Sequence, residues 1–457
     1  MNPHDLLPDG LATAVETASG ASVVAVRPRG GGGASREGAE LDLAWPDGRA
    51  ASAYMNYDVH KAGAGDDAAY LREAAILRAL SGPLAHAGVR VAPFYAAVPD
   101  QRALVCGMIA GNDRFGAIAD RVQRDTLAAD FMGQLAALHR IDVAANPVEG
   151  MGPVEPAETF IRRRIAELRL GNSGRGWDPL IHLSLNWLEA NIPANMPVPV
   201  IVHGDAGPGN FLYEGDRVTA LLDWELVHYG DPMADLAMLA IRMLFQGFVP
   251  LPQAFAAYEA AGGHRVDLSR LIYWRLLFQT SFARRSRYDD PDAPPPPNLG
   301  MNLVYSTIHR RVLSSALAEA AGIALPPVAL PDAPPGAHDR SFAIALDDIR
   351  ESIVPRLSDQ QAAVKAKGMA RLIKYWRAIE RFEPRFHAAE KVEIETALAC
   401  EFADYRSAWS AFRDAVAEGR IATDAAIILC NAHETREAAL MADAMGGLAD
   451  TKFAPLQ

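Results

Sequence analysis

The chain has 457 residues, half of them hydrophobic and 22% charged, with a net charge of −12. That balance fits a soluble globular protein of two to four domains at about 100–200 residues each. The acidic balance argues against a nucleic-acid partner, which usually meets a basic patch. Three cysteines, Cys106, Cys400 and Cys430, form no CxxC pair, so reduced thiols in a cytoplasmic protein are expected. The N-terminus lacks a basic segment followed by an apolar one, so no secretory leader is expected. No apolar run approaches the ~18 residues of a membrane span.

Residues 1–20 predict a short helix carrying Leu11 and Val15 on one face. A strand starts at Ala21 and leads into four glycines, Gly30 to Gly33. Glu40 to Tyr57 reads as two strands joined at Pro46-Asp47-Gly48, because Asp-Gly is a hairpin signal. Asp66 to Leu80 predicts a helix, and VRVAPFYAAV and RALVCGMI predict two further strands. The first 110 residues therefore predict a small sheet with one main helix. After Gly111 the pattern turns helical, with helices expected over Asp125–Ile141, Phe160–Leu170 and Leu180–Asn191. Short strands are expected in VPVIVHGD, FLYEGD and VTALLDWE, and helices again from Pro232 to about Leu330. A Pro- and Ala-rich linker, Leu325 to Asp339, precedes helices over Phe342–Val354, Ser358–Ile379, Ala388–Ala417 and Thr423–Ala444. Lys365, Lys367, Arg371, Lys374 and Arg377 recur three or four apart and predict a basic, solvated helix face.

Chemistry concentrates between His203 and Asp235. Asp205 follows a buried strand, and Asn210 stands five residues later. A kinase loop of this form supplies an Asp as base and an Asn as metal ligand. Asp223 ends the next strand and adds an oxygen donor, and Mg²⁺ takes one or two carboxylates plus substrate phosphates. A lone Asp after a strand is usually a cap or turn residue. The ordered set HGDxxxxN, DWE and GDPxxDLA within 35 residues is hard to reach by chance.

This set resembles the aminoglycoside phosphotransferase/choline kinase-like family, in particular the branch of kinase domains attached to some acyl-CoA dehydrogenases. LREAAILRAL (Leu71 to Leu80), LAALHRID (Leu135 to Asp142) and LNWLEANIP (Leu185 to Pro193) extend the resemblance over roughly residues 20–330. It implies an α+β, bilobal protein-kinase-like fold. Residues 1–110 would be a nucleotide-binding N-lobe, 111–330 a catalytic and acceptor-binding C-lobe, and 331–457 a linker and all-helical module. It implies ATP and Mg²⁺ as cofactors and a small-molecule hydroxyl as acceptor. Asp205 would be the base, Asn210 and Asp223 the metal ligands, His203 a structural residue and Asp235 a brace for the loop. Asp231 would cap the helix that follows, and Glu225 could line the acceptor side or serve structure alone. Gly32, Gly33 and Ser35 would cover the phosphates, Glu73 would be the ion-pairing carboxylate, and Cys106 and Met108 would border adenine. A homodimer through the helical module is a candidate association.

The resemblance also requires a Lys or Arg on the strand before Glu73, and AASAYMNYD (Ala50 to Asp58) has none. Arg49 and Lys61 flank that strand out of register and are the candidate substitutes. A catalytically impaired nucleotide- or metabolite-binding protein, or a scaffold, is therefore the second reading of the same residues.

Overall fold

The computed structural model describes residues 3–29, 36–58, 67–283 and 296–456. Its elements in chain order begin with α1 (Leu11–Ser19), β1 (Ser22–Arg29), β2 (Glu37–Ala44), β3 (Ala50–Tyr57), α2 (Ala68–Ser81), β4 (Phe94–Val98), β5 (Ala103–Gly107) and α3 (Arg121–His139). There follow α4 (Ala157–Gly171), α5 (Pro179–Ala190), β6 (Val200–Val202), β7 (Phe211–Glu214), β8 (Arg217–Leu221), β9 (His228–Gly230), α6 (Met233–Arg242), α7 (Leu251–Ala260) and α8 (Leu268–Phe282). The last helices are α9 (Leu299–Ala321), α10 (Asp339–Asp347), α11 (Gln360–Leu398), α12 (Tyr405–Ala417) and α13 (Thr423–Met445). The chain divides into two compact units: residues 1–160, 195–271 and 454–457, and residues 161–194 and 272–453.

In the first unit, five antiparallel strands run in the order β1-β2-β3-β5-β4. Alternation along β2 and β3 sends Leu41, Leu43, Ala53 and Met55 into an apolar core closed by Leu11 and Val15 of α1. The opposite residues of β3, Tyr54 and Asn56, line a cleft. The turn at Asp47-Gly48 joins β2 to β3, with Gly48 at φ 87° and Trp45 N donating to the Arg49 carbonyl at 2.8 Å. This is the α+β, kinase-like arrangement: a small β-rich lobe followed by a helical one.

The helical lobe carries its functional loops on two short ribbons. β6 pairs with β9, and β7 pairs with β8 across Gly215-Asp216. β9 is not predicted from the sequence, because three residues are too few to show alternation. Helix α6 is buried from Met233 to Ile241, so the strand ends rest on a rigid floor.

The second unit, taken by itself, is helical. Charged groups at its centre are paired: Arg310 reaches Glu434 at 2.5 Å and Asp178 at 2.9 Å. Arg436 bonds Glu393, and His433 Nδ1 lies 3.2 Å from Glu390. Pairing is what makes burial of such charges tolerable. Helix α11 continues through Pro384 to Leu398, so the expected break after Ile379 is absent. The expected single helix over 388–417 is instead broken: Ala399 adopts φ 50° and Asp404 caps α12 in a box with Ser407. Two members of the basic face are engaged within the unit, Lys374 with Asp443 at 3.1 Å and Arg377 with Asp339 at 2.6 Å. Among the described residues no helix is long and apolar enough to cross a membrane.

Candidate active site

β6 delivers the chain to His203-Gly204-Asp205, and α6 fixes it there. Asp235, in the first turn of α6, accepts the backbone N–H groups of His203 and Gly204, each at 2.8 Å. His139 Nε2 donates to the same carboxylate at 3.0 Å, and His139 Nδ1 lies 2.7 Å from the Tyr258 hydroxyl. Burial alone would raise the Asp235 pKa, but these bonds and the neighbouring imidazoles hold it below the ordinary value. Gly204 has φ 87°, and a Cβ there would lie 2.2 Å from the Leu226 carbonyl oxygen. The loop therefore needs glycine at this point. His203 is buried, its ring 4.4 Å from that of Trp224. Burial holds its pKa below the ordinary value, so it serves as neutral packing. Asp231 accepts Met233 N at 3.0 Å and is paired with Arg270 at 2.9 Å.

Asp205 and Asn210 meet across the loop. Asn210 Nδ2 donates to Asp205 Oδ2 at 2.6 Å and to its carbonyl at 2.9 Å. Arg242, on the same α6 face as Asp235 seven residues earlier, donates to Asp205 Oδ2 at 2.7 Å and to Asn210 Oδ1 at 3.1 Å. It also bonds the Pro208 carbonyl at 2.8 Å. Arg242 was not singled out from the sequence, although the seven-residue spacing from Asp235 is the helical repeat that brings both to one face.

Asp223 follows β8 in a left-handed conformation, φ 62°. Its pKa is pushed up to about 6, first by burial among the cleft walls and then by Glu225, Asp205 and Glu73, with Arg36 opposing. Asp223 and Asn210 line one cleft of about 560 Å³ with Glu73, Cys106 and Met108, a volume within the usual range for small ligands. Burial pushes the Cys106 thiol up, leaving a neutral apolar wall. The Met108 N–H already bonds the Ser52 carbonyl at 2.9 Å, so it is not available to a base. Gly32, Gly33, Ser35 and Lys61 lie outside the described residues.

Glu73 is buried on α2, and its partner is Arg36, at 2.7 Å. Arg36 stands immediately before β2, not on β3. Arg49 is excluded from this role, because its guanidinium lies 3.9 Å over the Trp45 ring at the other end of β3 from Arg36. Arg36 and Arg49 are the two bases between Ala34 and Asp58. Arg36 pairs with a carboxylate 37 residues away, a contact that the spacing of residues along the chain does not reveal.

An all-oxygen pair, Asn210 Oδ1 and Asp223, in a cleft crowded with carboxylates suits Mg²⁺. Asn210 Oδ1 keeps a second lone pair beyond its bond to Arg242. Among the described residues no group of three or more His, Cys, Asp or Glu stands close enough to bind a metal by itself. Phosphate and water would have to complete the shell.

Residues 59–271 match the sequence profile of the Phosphotransferase enzyme family. This segment is a phosphotransferase-family domain. Acyl-CoA dehydrogenase family member 11 of Homo sapiens is 26% identical over 157 residues, which cover 34% of this chain and 20% of that protein. Its Gallus gallus counterpart is 30% identical over 112 residues, 22% of this chain and 13% of that one. The chain thus spans about a fifth or less of the length of these relatives. A Ralstonia eutropha structure described as a candidate aminoglycoside phosphotransferase aligns with a TM-score of 0.51 at 20% identity. It covers 68% of this chain and 98% of that one, which shows that the two share a fold.

Proposed function

We propose that the chain moves the γ-phosphoryl group of ATP to a hydroxyl of a small molecule, in a Mg²⁺-dependent reaction. The observation that carries this reading is the Asp205–Asn210 pair, on a loop pinned by Asp235, with Asn210 opening onto the cleft that Asp223 also lines. Asp205 takes the acceptor proton as the acceptor oxygen bonds to the γ-phosphorus and the bond to the ADP oxygen breaks. Arg242 and Asn210 hold the Asp205 carboxylate in one orientation, so the base is placed before the acceptor arrives. Asn210 and Asp223 would hold Mg²⁺, which when bound neutralises developing phosphate charge. In this proposal residues 1–110 face the nucleotide, 111–330 the chemistry and the acceptor, and 331–457 form the helical addition. A cytoplasmic setting, consistent with three cysteines present as thiols, and a homodimer through the helices belong to the same proposal.

The second reading, a nucleotide-binding protein without catalysis, drew its support from the missing strand cation. The pairing of Arg36 with Glu73 at 2.7 Å weighs against that reading. The proposal is tested with Asp205→Asn, which keeps shape and hydrogen bonding but not basicity. Turnover should fall by about 10²–10⁴ with the melting temperature preserved. Full turnover in the folded variant would refute Asp205 as base.

A further inference from the structure

The cleft has an imbalance that points to one residue. Its described lining includes four carboxylates, Glu37, Glu73, Asp223 and Glu225, and one basic side chain, Arg36. A nucleotide carries several negative charges, and such a wall repels it unless a fixed cation meets the phosphates.

The register explains how Arg36 comes to stand there. Gly38 pairs with Asn56 across β2 and β3, and Arg36, two residues before Gly38, falls on the same face. Asn56 lines the cleft at a β3 position where a strand cation would face it. Its Oδ1 is buried with no hydrogen-bond partner among the described residues. Arg36 therefore occupies the same face one strand over. Its side chain is 18% exposed, with Nη1 2.7 Å from Glu73 Oε2 and Nη2 at 3.6 Å from Glu225 Oε2. The first contact fixes the guanidinium. The second is loose, and guanidinium carries five N–H donors in a planar fork suited to phosphate.

We propose that Arg36 is the phosphate anchor of this site, filling from the start of β2 the role that a lysine or arginine on β3 would fill, with Glu73 as its positioning partner. This rests on the nucleotide-binding reading above and adds to it the residue that grips the phosphates.

The test is calorimetric titration of the full chain with MgADP and, separately, with adenosine, which lacks phosphate. Arg36→Ala alone would leave the Glu73 charge stranded, so it is paired with Glu73→Gln. Arg36→Gln, which can still hydrogen-bond Glu73, is measured in parallel. Melting curves establish that each variant is folded. Both variants should bind MgADP at least about tenfold more weakly, as expected for loss of a charged hydrogen bond, while adenosine affinity stays within about twofold. Unchanged MgADP affinity in either folded variant would overturn the proposal. So would equal losses for MgADP and adenosine, which would mean that Arg36 only shapes the cleft. A wild-type chain that binds neither ligand would overturn the kinase reading itself, and the anchor with it.

Discussion

At the residue scale, the candidate site balances charges that would otherwise repel. Asp205, Asp223, Glu225 and Glu73 crowd one region, and Arg242 and Arg36 answer them from α6 and from the start of β2. Asp205, Asn210 and Asp223 could be picked from the sequence because their spacing within one loop and one hairpin is itself the signal. The two arginines could not be, since each acts across a distance set by folding. Arg36 reaches a partner 37 residues away, and Arg242 one 37 residues back. Gly204 gives a sharp check at this scale. Gly204→Ala places a Cβ against the Leu226 carbonyl in a positive-φ backbone, which should cost about 1–3 kcal/mol and displace the Asp205 loop. Denaturant unfolding should show that loss together with a large fall in turnover. Unaltered stability and turnover would mean that the loop is not held as described.

At the element scale, long periodic helices were legible and short strands less so. Helix α3 appears at Arg121–His139 where apolar periodicity predicted Asp125–Ile141, whereas β9 has too few residues to carry a period. The continuation of α11 through Pro384 was not legible, because proline locally opposes helix. Packing of α11 against α9, α12 and α13 outweighs it, as tertiary contacts commonly outweigh propensity. The second unit also has a pH sensitivity of its own. The Gln279 amide donates to His309 Nδ1 at 3.0 Å and to the His309 carbonyl at 2.7 Å. The carbonyl fixes the amide orientation, so Nδ1 accepts and the ring is neutral. Burial lowers the His309 pKa to about 4, against about 6.5 in the unfolded chain. Between those values only the unfolded chain takes the proton, so stability falls as pH drops from about 6.5 toward 4, by at most about 3 kcal/mol. Melting temperatures at pH 7 and 4.5 should fall less in His309→Gln than in the wild type. Equal falls would show that His309 does not contribute.

At the scale of the whole molecule, reaction class and acceptor identity separate cleanly. The class follows from a compact motif, a cleft of nucleotide size and a family match over residues 59–271. The acceptor would be read by side chains dispersed over helices without a spacing signature. Mg²⁺-dependent nucleotide binding at this cleft is accordingly best tested without an acceptor, by calorimetric titration of the full chain with ATP in Mg²⁺ and in excess chelator, alongside Asp223→Asn. Saturable binding of MgATP is expected, weakened at least about tenfold by removing the metal or by Asp223→Asn, the loss expected for a charged ligand contact. No binding at millimolar MgATP, or binding indifferent to both changes, would contradict it.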